Sequence, residues 1–86
     1  MGIDAQAVVS GGVVERMDGL SFGGGHHLAA SDTEPEQIIV SVWDDSTEQT
    51  FQLGIGDRLE FAGQTWRLDE IDARGRHWYG TLTRVA

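Results

Sequence analysis

Apolar and polar residues alternate along much of this chain, with the period of a β-strand. In residues 58–68, "RLEFAGQTWRL", the apolar side chains Leu59, Phe61, Trp66 and Leu68 are separated by polar neighbours. Successive side chains on a strand point to opposite faces, so each pair falls on one face. A two-residue loop at Ala62-Gly63 pairs Phe61 with Gln64 and Leu59 with Trp66. That register keeps the apolar side chains of both strands together. A second hairpin turns around Arg74. Pairing Trp66 with Leu82 sets Leu68 opposite Gly80, where the missing side chain leaves room for Trp66 and Trp78. Leu68 and Ile71 cannot share a face by strict alternation, so a β-bulge is expected near Asp69-Glu70. Upstream, "IIVSVW" and "TFQL" predict another hairpin. Val42 faces Phe51 and Val40 faces Leu53, across a loop containing Ser46 and Thr47.

The first third is less regular. "AQAVVS" predicts a strand and "LSFGGGHHLAA" an irregular one, while "SGGVVERMDG" is compatible with strand, turn or a short helix. Turn signals such as "SGG", "DG", "SDTEPE", "DDS" and "GIGD" recur at the spacing of short strands. No window carries apolar residues at the i, i+3, i+4, i+7 spacing over three turns. The expected class is therefore all-β: a small antiparallel barrel or sandwich of six or seven short strands built from hairpins. The 86 residues form one β domain, with residues 1–4 loose.

Composition narrows the chemistry. The chain has no cysteine, which removes disulfides and thiolate zinc sites. It has no lysine, which removes Schiff-base chemistry. All six basic residues are arginine, facing fourteen acids, for a formal net charge of -8. Codon bias in a GC-rich genome accounts for the missing lysine, and a salt-adapted surface is the other reading. Such a surface repels phosphates, so no nucleic-acid partner is expected. There is no apolar run of membrane-spanning length and no secretory signal pattern, and Gln6 stands where a myristoylation motif needs Ser or Thr. The expectation is a cytoplasmic protein without a membrane partner.

"FGGGHH", residues 22–27, is the stretch that most resembles a ligand motif. A dinucleotide fingerprint read from Gly23 finds Leu28 where its third glycine belongs. A Walker motif needs a lysine. Three glycines in a strand instead suggest a bulge or a close backbone approach. His26 and His27 point to opposite faces of a strand. A metal set would need His77 from a distant strand and a carboxylate such as Asp32, without a spacing signature like H-E-x-x-H. One histidine is expected inward and one in water, with no metal and no cofactor. No serine sits in G-x-S-x-G, and the "DEID" run at 69–72 reads as solvated carboxylates, so no catalytic residues are assigned and no enzyme is expected.

Trp43 and Tyr79 lie out of phase with the inner faces. If that phase holds, both rings are displayed, Trp43 directly beside Asp44 and Asp45. An exposed ring bordered by charge is a common interface anchor. The alternative is that a second layer, such as the N-terminal segment, covers both. Trp43, Asp44, Asp45 and Tyr79 are therefore the candidate partner-binding residues. The expected function is a non-enzymatic acidic module that docks to a protein, basic or otherwise, or to itself. The alternative is an acidic antagonist, of the immunity or nucleic-acid-mimic kind, acting through the clusters Asp32-Glu34-Glu36, Asp44-Asp45-Glu48 and Asp69-Glu70-Asp72. A third and weaker reading is a metal-dependent role of the histidines.

Gly56-Asp57, Gly63 through Trp66, and Trp78 through Val85 form a recurring pattern: a Gly-Asp turn, a Gly-x-x-Trp strand and a closing strand that ends in Arg-Val. "DGLSF" at 18–22 fits it as well. In these motifs the chain resembles a family of small actinomycete proteins of unknown function. The resemblance covers about three quarters of the chain loosely and its last third well. It implies no activity, cofactor or catalytic residue, and "GGGHH" lies outside the shared pattern.

Overall fold

The computed structural model describes residues 4–74 and 77–86. The expected loose start therefore falls largely outside the described residues, as do Gly75 and Arg76 of the turn after Arg74. The architecture is an all-β sandwich of eight strands: β1 (Gln6–Ser10), β2 (Val14–Met17), β3 (Leu20–Leu28), β4 (Gln37–Trp43), β5 (Glu48–Gly54), β6 (Arg58–Phe61), β7 (Gln64–Asp72) and β8 (Tyr79–Arg84). They form two antiparallel sheets, ordered β1-β8-β7-β6 and β2-β3-β4-β5. The segment whose sequence left strand, turn and helix open supplies β2, and the sandwich is not closed into a barrel.

The core lies between the sheets. Phe22 of β3 meets Trp66 of β7 edge to face, with ring centroids 4.9 Å apart. Ile38, Val40 and Val42 of β4 face the other sheet's Leu59, Leu68 and Leu82, and all are buried. Strict alternation along β4 is what places its three aliphatic side chains on this face.

The β6–β7 register is the expected one, with Leu59 opposite Trp66 and Phe61 opposite Gln64. Its loop has φ of 51° at Ala62 and 76° at Gly63, and the Asp18-Gly19 loop between β2 and β3 has 55° and 82°. Two successive positive φ values define the type I′ turns whose twist matches a two-stranded ribbon. Ala62 bears a Cβ penalty there that Asn tolerates better. Ala62→Asn is expected to raise stability by about 0.5–1 kcal/mol, read as a higher urea midpoint at unchanged slope.

Two expected registers are corrected. Leu68 faces Leu82, and Trp66 faces Arg84, not Leu82. The bulge falls between Leu68 and Glu70, as expected, and it sets Gly80 opposite Ile71. In the β4–β5 hairpin Val40 faces Phe51 and Val42 faces Gln49. Both corrections are shifts of two residues, which leave every side chain on its expected face. Gly80 does make room, but for a different neighbour. A Cβ there would lie 2.7 Å from Ile38 Cδ1, so the glycine admits a side chain from the opposite sheet.

The sheets are joined at three places. At one edge, Ser10 bridges Val13 and Gly11 bridges Gly24. At the Asp18 corner, Gln64 Nε2 donates to the Asp18 carbonyl at 2.8 Å, and Arg84 pairs with the buried Asp18 carboxylate at 3.1 Å. Gln64 also accepts the Trp66 indole N–H at 3.0 Å. At the third place, Gly56 donates to the Leu68 carbonyl at 2.7 Å and Leu68 donates to that of Asp57 at 2.9 Å. The Gly-Asp turn thus carries the chain from β5 of one sheet to the flank of β7 in the other.

Candidate functional site

The three glycines of "FGGGHH" act as seats for other parts of the fold. A Cβ on Gly23 would lie 3.0 Å from the Trp43 ring, so that ring rests on the glycine. A Cβ on Gly24 would lie 2.2 Å from the Ser10 carbonyl oxygen, so β1 passes directly over this residue. Beyond it the β3–β4 register slips between Gly24 and His27. The expected bulge and close backbone approach are both present.

Trp43 ends β4 on the outer face of its sheet, paired with Ser21 and Glu48. Alternation turns its neighbour Val42 inward and Trp43 outward. The ring is half-buried, with its Cζ3 and Cη2 atoms packed at Gly23, and among the described residues it is not part of the core cluster. Gly23's partner on β2 is Val14, which is exposed. Trp43, Asp44 and Asp45 line a shallow groove of about 190 Å³ whose other wall includes Arg16 and Ser21. Asp44 is occupied structurally: Oδ1 accepts from the amides of Ser46 and Thr47, each at 2.9 Å. Those bonds hold its carboxyl below the usual carboxylate range. Asp45 is exposed beside it.

Tyr79 is not brought to this groove. It begins β8 in the other sheet, 41% exposed, with its hydroxyl donating to Asp72 Oδ2 at 3.1 Å. The carboxylate it faces raises the phenol above its ordinary pKa. Arg74 clamps Asp72 through two nitrogens, at 3.2 and 2.7 Å, which holds that acid well below its ordinary value. Asp69 is likewise lowered, first by the Arg67 guanidinium at 2.5 Å and then by the Thr83 hydroxyl. Much of the Asp69-Glu70-Asp72 cluster is thus engaged within the sheet that carries it.

The histidines have different surroundings. His26 is exposed, whereas His27 Nε2 lies 2.6 Å from Glu36 and its ring tilts against Trp78 at 6.4 Å. His77 is exposed and lines a different cleft with Trp78 and Val13. Among the described residues no three His, Asp or Glu side chains converge as metal ligands. Nor does any helix there have the length and apolarity to cross a membrane.

Sequence reasoning missed Arg16 as a neighbour of Trp43, because it arrives from a segment whose strand was not assigned. It also missed the Asx turn at Asp44. There the signal was present: an Asp followed two and three residues later by Ser and Thr, between two strands.

The residues singled out as a recurring pattern are those that hold the corners. Asp18-Gly19 and Gln64 through Trp66 build the Asp18 corner with Arg84, and Gly56-Asp57 crosses between the sheets. No curated protein and no solved structure matches the chain. The profile of one family of unknown function, DUF6406, matches residues 4–86, nearly all of the sequence, and the chain belongs to that family.

Proposed function

We propose that this protein is a non-enzymatic docking module that receives a protein partner on the outer face of its β2-β3-β4-β5 sheet, with Trp43 as the anchor. The observation that supports this most is the Trp43 ring, laid over Gly23, part-exposed, and set between Asp44-Asp45 and Arg16. An aromatic ring already packed in place loses little conformational freedom on binding. The charges around it give a partner polar groups to match at the rim. At about 190 Å³, the groove beside Trp43 is smaller than the ~300 Å³ at which small-molecule pockets begin. The arginine-only basic set fits a cytoplasmic protein of a GC-rich, actinomycete-type source.

The test is affinity capture from the source organism with wild type and Trp43→Ala in parallel. Capture of the partner is expected to fall at least tenfold, as for an anchor worth roughly 2 kcal/mol. The melting temperature should change much less than for a core residue, since Trp43 lies outside the core cluster among the described residues. An equal yield from both forms would remove Trp43 from the interface. The net charge of -8 favours a second reading, the acidic antagonist. Its complex would weaken steeply as salt is raised, whereas an aromatic anchor is largely indifferent to salt. Engagement of Asp44, Asp69 and Asp72 within the fold leaves that reading fewer free carboxylates.

A further inference from the structure

Four strands lie at sheet edges: β1, β6, β2 and β5. Exposed edges are normally protected by shortness, charge, proline or a bulge, because their unpaired backbone groups invite another strand. β2 and β6 are four residues long and carry two charges each, Glu15 with Arg16 and Arg58 with Glu60. β1 runs at Ser10 into the seam with Val13 and Gly24. β5 has none of these devices beyond one charge at its end. It is seven residues long, "EQTFQLG", and Glu48 at its first position is its only charge.

The direction of its free backbone groups follows from its two ends. Gly54 bonds away from β4, its amide donating to Asp57 Oδ2 at 2.8 Å and its carbonyl accepting from Asp57 at 3.0 Å. At the other end, Asp44 donates to the Thr47 carbonyl at 3.0 Å and closes the β4–β5 loop. Bonding direction alternates along an antiparallel strand. Both ends therefore give the same parity: Gln49, Phe51 and Leu53 bond to β4, while Glu48, Thr50 and Gln52 point their N–H and C=O groups outward.

We propose that β5 pairs antiparallel with β5 of a second copy, about a two-fold axis at Thr50, joining two four-stranded sheets into one of eight. That register pairs Thr50 with Thr50 and Glu48 with Gln52, so all three outward residues of each copy are matched. The next symmetric register sets Glu48 against Gly54, whose backbone Asp57 already occupies. Centring on Thr50 also keeps the two Glu48 side chains four residues apart, roughly 13 Å along the strand, which is beyond the Debye length of about 8 Å at physiological salt. Each Glu48 then faces a neutral Gln52 instead of a like charge, so the strand matches a copy of itself in backbone bonding without opposing its own acids. Gln49 falls opposite Phe51, whose half-buried ring gains cover at the open side of the sandwich. This inference goes beyond the docking reading and does not use the Trp43 groove.

Sedimentation velocity on the wild-type chain tests it. One strand pair buries less than the ~1,000 Å² of a stable interface, so dimerisation is expected between about 10 µM and about 1 mM. Since both copies carry -8, added salt should strengthen the dimer. Thr50→Glu sets like charges opposite each other on the axis and should weaken dimerisation at least about tenfold. Thr50→Pro removes an outward N–H without touching the β4 ladder and should do the same. Circular dichroism confirms the fold of each variant, and Thr50→Glu, at an exposed position, carries the test if the proline variant does not fold. Mixing Thr50→Glu with Thr50→Lys should restore a mixed dimer. A wild type that stays monomeric to about 1 mM overturns the proposal. So does a Thr50→Glu protein that dimerises as the wild type does, or a mixture that forms no dimer.

Discussion

Gly24→Ala is expected to cost about 3 kcal/mol or more, at or above the upper end of ordinary overpacking. The added methyl would sit 2.2 Å from the Ser10 carbonyl oxygen, 2.4 Å from its carbon and 2.9 Å from its nitrogen. All three are backbone atoms, so no rotamer change relieves the clash. β1 must lift from β3, and the bridges at Val13 and Gly24 go with it. A domain of this size holds about 4–13 kcal/mol in total, so the loss is a large fraction of its stability. Gly80→Ala provides the contrast. Its new Cβ would meet Ile38 Cδ1 at 2.7 Å and Leu68 Cδ1 at 3.3 Å, both at the ends of side chains that can shift. About 1–3 kcal/mol is expected there. Urea unfolding followed by far-UV circular dichroism ranks the two. If Gly80→Ala proves the more damaging, the account of the seam between β1 and β3 is wrong.

Trp66→Ala is expected to cost about 3–5 kcal/mol, the range for removing a fully buried aromatic ring. Trp66 is the largest fully buried side chain. Its loss removes the edge-to-face contact with Phe22 and leaves Gln64 Oε1 without the indole donor. Trp66→Phe keeps most of the volume and should cost clearly less, the remainder reflecting the missing N–H. Denaturant unfolding of both variants decides this. Near-equal costs would mean that the indole hydrogen bond, not the packed ring, is what the core needs.

The β6–β7 hairpin was legible in the sequence because a two-residue loop admits one register. The β4–β5 and β7–β8 hairpins have longer connections, and the apolar pattern repeats every two residues. Registers differing by two leave the same side chains inside, so alternation identified the face correctly and the partners wrongly. The bulge at Leu68 to Glu70 was legible for the opposite reason, since a break in the alternation has few physical causes. At the candidate site, the outward phase of Trp43 could be read from β4 alone. Its seat could not. Gly23 lies on a different strand, and a glycine run gives no sign of which ring or strand it accommodates.

The Asp18 corner also bears on how the molecule comes apart. Its carbonyl is tied to a residue 46 positions away and its carboxylate to one 66 positions away. One residue at the tip of a hairpin thus secures both the middle and the end of the chain. Neither layer can peel off by itself without severing this corner, so melting should be a single cooperative event. Refolding must wait for distant parts of the polymer to meet, which places the protein among slow folders despite its small size.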